Sequence, residues 1–159
     1  MIIGMLALFG ALFGAQDAPS KAEIKANRLQ AAAALAGRPE ARIPSTMNLD
    51  SFRVEYEDHQ DVLYLSTGFG KWYRGPMNCF GMGDAQSAMR IIPIDYGTGI
   101  DRFTRFRLMG IGSRFDRDGN DCRVESLIEL TPQETVVFGL ESQKRVDERL
   151  ARQAARAPH

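Results

Sequence analysis

"LDSFRVEYEDHQDVLYLST", residues 49–67, opens with a change to a period of two. Phe52, Val54 and Tyr56 alternate with Arg53, Glu55 and Glu57, the period of two expected of a strand with one face buried and one wet. "EDHQD" (57–61) reads as a polar turn, and "VLYLST" (62–67) resumes as a second strand. "GFG" (68–70) supplies another turn before "KWYR" (71–74), where two aromatics suit a third strand. Segments this close in sequence pair most economically as an antiparallel meander.

Outward from the meander the signals continue as β. The stretch 75–88, "GPMNCFGMGDAQSA", is rich in glycine and small residues and predicts a loop with a short helical turn. "MRIIPI" (89–94) predicts a strand in which Pro93, unable to donate to a ladder, argues for an edge or a bulge. "RFTRFRLMG" (102–110) predicts another, and an Asp/Gly/Asn turn then leads into a long strand from Cys122 to Leu130. The expectation is a mainly β fold: a small antiparallel curled sheet or barrel-like domain with flanking N- and C-terminal helices.

The flanking helices carry their own stop and start signals. Ser20 and Glu23 form a capping-box pattern ahead of the alanine-rich "IKANRLQAAAALAG", and Gly37 with Pro39 ends the helix, placed at 20–37. At 131–159 Thr131, Pro132 and Glu134 repeat the box before a charged helix, with Gly139 as an interruption. Val146, Leu150 and Ala154 form its thin apolar stripe, which predicts loose docking or a partner. Residues 1–15 are an uncharged apolar run, too short to span a bilayer and suited to an export signal, although no Lys or Arg precedes it; the alternative is a buried or surface-lying N-terminal helix. The division expected is therefore a leader at 1–15, a helix at 20–37, a β domain at 42–130 and a helix at 131–159.

A chain of 159 residues, 44% hydrophobic, suits a single modest core. Lys plus Arg and Asp plus Glu are 20 each, which argues against a nucleic-acid binder, for which a basic stripe is the usual footprint. Two cysteines, Cys79 and Cys122, lie 43 residues apart without a CxxC pair; behind an export-type start the expected state is a disulfide, with two buried thiols or one reactive thiol as alternatives. Only His59 and His159 are histidines, so a zinc site is not expected. Asp116, Asp118 and Asn120 match the first oxygen positions of a calcium loop, but Asp121 replaces its glycine and Leu127 its glutamate, and a hairpin turn explains the same residues. No nucleophile elbow and no phosphate loop is present, and no cofactor is implied. The remaining handle is aromatic and cationic: Trp72, Tyr73, Arg74, Arg105 and Arg107 could read an anionic or aromatic ligand by stacking and bidentate hydrogen bonds. The competing reading places Trp72 in the core or its rim near the cystine and the arginines on the wet face.

"LAGR" (35–38), "DVLYL" (61–65), "KWYRGPMNCFGM" (71–82), "IDRFTRFR" (100–107) and "CRVESL" (122–127) together resemble, in order, a domain of unknown function found in short exported bacterial proteins. The resemblance spans about Leu35 to Leu130. It implies an exported location, periplasmic or secreted, and supports pairing Cys79 with Cys122; it carries no catalytic assignment. The expected function is an accessory or binding domain without enzymatic activity, its partner an unidentified protein or small molecule. The alternative is a hydrolase assembled from distant residues, which would require Asp101 or Asp116 beside His59.

Overall fold

The computed structural model describes residues 18–68, 70–79, 85–94, 97–109 and 121–156. The leader at 1–15, Asp116, Asp118, Asn120 and His159 lie outside the described residues. The elements are α1 (Lys21–Ala34), β1 (Ile43–Pro44), β2 (Leu49–Glu57), β3 (Gln60–Thr67), β4 (Trp72–Cys79), a 3-10 turn (Ala85–Ser87), β5 (Arg90–Ile94), β6 (Gly99–Ile100), β7 (Arg105–Met109), β8 (Asp121–Val124), β9 (Ile128–Glu129), α2 (Pro132–Val137) and α3 (Gln143–Arg156). The fold is mainly β, with a strongly curled antiparallel half-barrel sheet and helices at both ends.

The main sheet runs β2-β3-β4-β8-β7-β5, with β9 also paired to β4, and every pairing is antiparallel. β1 and β6 form a separate two-stranded ladder. The meander of β2, β3 and β4 is the expected one, and β5, which carries Pro93, lies at the sheet edge.

β3 lies one strand in from the β2 edge and is covered on both faces, and its sequence states why. "VLYLST" is apolar at successive positions instead of alternate ones, the mark of a strand covered on both faces. Leu63 and Leu65 point into a first core with Ile43, Val54, Tyr73, Met77, Phe106, Leu108, Val124 and Leu127. Val62 and Tyr64 point into a second core with Leu35, Ile128, Leu130, Phe138 and Leu140. The first core fills the sheet's own curl, and the second forms where helical segments cover the other face. Each fully buried large side chain here stabilises by roughly 1.5–3 kcal/mol relative to exposure.

Three elements differ from the sequence reading. β4 continues through Gly75 and Pro76 to Cys79, because β3 on one side and β8 on the other offer ladder partners. The long strand expected from Cys122 to Leu130 is split, since β4 pairs first with β8 and then with β9. Gly75 stands at that switch: a Cβ there would lie 2.5 Å from Val124 Cγ1 and 2.7 Å from the Ser126 carbonyl oxygen. The C-terminal segment holds two helices, because Gly139 adopts φ +69° just after α2 and redirects the chain.

Both capping boxes form. Ser20 accepts from the Glu23 N–H while Glu23 accepts from the Ser20 N–H, and Thr131 and Glu134 do the same. Cys79 and Cys122 sit directly opposite each other on β4 and β8 and are joined as a disulfide, with Cα atoms 4.1 Å apart. Among the described residues no helix is long and apolar enough to cross a membrane.

Candidate ligand site

The charged face of β2 is where the helices meet the sheet. Alternation puts Arg53, Glu55 and Glu57 on the side opposite the first core, the face read as wet. Burial there is instead partial, because α1 and the end of α2 reach over it. Arg28 of α1 donates to Glu55 at 2.8 Å and to the Phe138 carbonyl at 2.7 Å. Arg53 donates to Glu55 at 3.2 Å and to the Gly139 carbonyl at 3.1 Å. Glu55 thus joins two arginines, and each arginine also satisfies a carbonyl at the C-terminal end of α2, where cationic donors are favoured.

Next to this lies a buried ionic triad. Arg74 donates to Glu57 at 2.8 Å and to the Tyr64 hydroxyl at 3.3 Å, and Tyr64 donates to Glu57. The Arg74 and Glu57 side chains are only 11% and 14% exposed. The Arg74 guanidinium carbon also lies 5.5 Å from the centre of the Phe138 ring, within range of a cation–π contact. Burial, the Glu57 hydrogen bond and that carboxylate's charge raise the Tyr64 pKa well above the usual phenol range. Burial opposes the charge on Arg74, and the bonds to Glu57 and Tyr64 overcome it, so its pKa is also raised. The triad fixes the hairpin against the end of α2.

Between α1 and the β2–β3 turn a groove opens, with a volume of about 360 Å³. One wall is Lys21, Ile24, Lys25 and Leu29 of α1; the other is Tyr56, Asp58 and His59; Arg28, Glu55 and Glu57 complete the lining. Ile24, Leu29 and Tyr56 are 42%, 40% and 58% exposed, an apolar strip facing solvent. Lys21 and Lys25 stand one helical turn apart and form no ion pair among the described residues. Asp58 and His59 both have positive φ, 44° and 67°, in the two-residue turn closed by Glu57 and Gln60. That geometry matches the right-handed strand twist but favours glycine at the second position. The groove offers apolar contact, the Tyr56 ring, the cations of Lys21, Lys25 and Arg28 and the carboxylates of Glu55, Glu57 and Asp58, in the size range of a small-molecule site. Among the described residues its lining contains no serine, threonine or cysteine.

The residues singled out from the sequence are distributed differently. Tyr73 is buried in the first core, while Trp72 and Arg74 point to the opposite face of β4. Trp72 is half-buried against the second core. It starts β4, whereas Cys79 ends it, so the two are roughly 23 Å apart along the strand. The expectation of a tryptophan near the cystine is corrected accordingly: closeness in sequence becomes distance in an extended strand. Arg74 is committed to its triad. Arg105 and Arg107 share a face of β7 and flank Asp121, at 3.7 and 3.1 Å. Asp101 accepts from the Phe103 N–H at 2.9 Å and lies 3.8 Å from Arg42, and it does not line the groove with His59. Among the described residues no group of three or more His, Cys, Asp or Glu is placed to hold a metal ion.

Sequence reasoning missed Arg28, Glu55, Glu57 and Tyr56 as a group. The available signal was the alternation of β2, which marks their shared strand, but the partner helix lies 27 residues away and gives no periodic hint of where it docks. No protein-family model, curated protein or solved structure matches the chain.

Proposed function

We propose that this chain is an exported, non-enzymatic accessory domain that binds a small ligand, with an apolar body and an anionic end, in the groove between α1 and the β2–β3 turn. The observation that carries the reading is the exposed strip of Ile24, Leu29 and Tyr56 beside Lys21 and Lys25, which form no ion pair among the described residues. Apolar residues left exposed around a concavity, with a few convergent polar groups, are what small-molecule sites are made of. Export is supported by the Cys79–Cys122 bond, since stable disulfides belong to oxidising compartments. The apolar start and the resemblance to short exported two-cysteine proteins point the same way.

A hydrolase would need a base, a partner acid and a nucleophile or held water in one cleft. His59 has Asp58 and Glu57 nearby in the groove lining, but Glu57 is committed to Arg74 and Tyr64. Asp101 belongs to a different turn, and no specific contact favours the hydrolytic reading over binding.

The test uses 8-anilinonaphthalene-1-sulfonate, an apolar ring system with one sulfonate, and follows its fluorescence on titration into the folded protein. Tyr56→Ala and the pair Lys21→Ala/Lys25→Ala should each weaken binding while near-ultraviolet dichroism stays native. Equal binding by wild type and both variants would remove the groove from consideration. Reproducible turnover of an ester, glycoside or peptide that is lost in a folded His59→Ala variant would replace binding by catalysis.

A further inference from the structure

α3 carries Arg145, Arg149, Arg152 and Arg156 at spacings of four, three and four, which puts all four on one helical face. Like charges at these spacings repel and work against the helix. Two of them are compensated: Arg149 donates to Glu141 at 2.7 Å, and Arg152 lies 3.7 Å from Glu148. Arg145 and Arg156 have no carboxylate at ion-pair distance among the described residues. Glu141, four residues before Arg145, precedes the helix and turns back to Arg149 instead.

This face looks onto the β3–β4 turn and encloses with it a cleft of about 560 Å³, whose lining includes Gly68, Gly70 and all four arginines. Gly70 has φ +70°, and a Cβ there would stand 2.8 Å from Arg149 Cδ. Gly70 therefore presents no side chain where Arg149 approaches it. The buried Arg149 Nε has no acceptor among the described residues. α3 is otherwise weakly anchored, through Val146, with Leu150 part-exposed and 151–156 exposed. Lys144, Asp147, Ala151 and Ala155 occupy its remaining surface, which lacks the large apolar face needed for insertion into a lipid surface.

We propose that this cleft is a binding site for a ligand carrying two or more phosphate groups. One phosphate would sit on the Arg145 and Arg149 pair and another on the Arg152 and Arg156 pair. The centres of the two pairs are about 10 Å apart along the helix, a gap that flexible arginine stems can narrow. A guanidinium has five N–H donors in a planar fork, so Arg149 and Arg152 keep free donors while holding their glutamates. Glu141 and Glu148 repel any anion, and only a multiply charged ligand gains enough from four arginines to offset them. The site should therefore discriminate by the number of phosphates.

The experiment titrates full-length protein with sodium tripolyphosphate and, separately, inorganic phosphate by calorimetry, and sediments the protein with vesicles containing cardiolipin, a lipid with two phosphates. Tripolyphosphate should bind at least about tenfold tighter than inorganic phosphate and weaken as salt rises. Arg145→Ala/Arg156→Ala, at two exposed positions, should reduce tripolyphosphate binding about tenfold or more, while Lys144→Ala should leave it unchanged. Vesicle binding that tripolyphosphate displaces would identify a lipid headgroup as the phosphate source. Absence of tripolyphosphate binding, equal binding by the double variant, or vesicle binding that tripolyphosphate does not displace would overturn the proposal.

Discussion

Replacing Arg74 by methionine isolates the energetic role of the buried triad. Methionine restores most of the arginine stem's volume, so the cavity contribution is small. What is lost is the 2.8 Å ion pair with Glu57, the 3.3 Å bond to Tyr64 and the charge beside the Phe138 ring. An exposed pair contributes about 0–1 kcal/mol, whereas removing one partner of a buried pair costs about 3–5 kcal/mol. Exposures of 11% and 14% place this pair towards the buried limit, and Tyr64 still donates to the stranded carboxylate. Arg74→Met should therefore destabilise by about 3 kcal/mol, a fall in Tm of roughly 6–12 °C for a chain of this size. Adding Glu57→Gln removes the stranded charge while leaving an acceptor for Tyr64. The double variant should be more stable than Arg74→Met alone. Urea unfolding followed by far-ultraviolet dichroism measures the wild type and both variants, at unchanged slope if the folded state stays compact. A cost below about 1 kcal/mol for Arg74→Met, or a double variant less stable than that single one, would refute the treatment of these groups as a desolvated pair.

Reducing the Cys79–Cys122 bond, or replacing both cysteines with alanine, should lower stability by about 4 kcal/mol on the chain-entropy account of a 43-residue separation, as read by urea midpoints with and without reductant. His59→Gly should stabilise the β2–β3 turn by about 1 kcal/mol, because glycine adopts φ near +67° without steric cost; a drop in Tm would show that the imidazole makes a compensating contact. Burial disfavours charge on Glu134, but the Arg38 fork at 2.5 and 3.0 Å and the Thr131 cap prevail, holding its pKa below the usual carboxylate value. Its stabilisation should be present above about pH 4.5 and fade as pH falls through the lower folded-state value, so Glu134→Gln should flatten the acid side of the stability–pH curve.

Local features of this protein were legible as residues: both capping boxes, the Asp58–His59 turn, the edge position of Pro93 and the strand at "VLYLST" follow from interactions within a few positions or from a simple period. The identity of the disulfide followed from there being two cysteines, and the antiparallel meander from short connections. The placement of the groove did not follow, because β2 alternates in the same way whether its charged face meets water or a helix. Only docking of α1 brings Arg28 to Glu55 and leaves Ile24, Leu29 and Tyr56 along one concavity. The same limit scattered "KWYR": alternation sends Tyr73 into one core and Arg74 towards the other, and the neighbours that decide burial come from β3, β9 and the end of α2. Period and capping are short-range properties, set by backbone geometry within one element. Which polar face becomes an interior depends on contacts between residues far apart in the chain, and those exist only once the sheet has curled and the helices have closed on it.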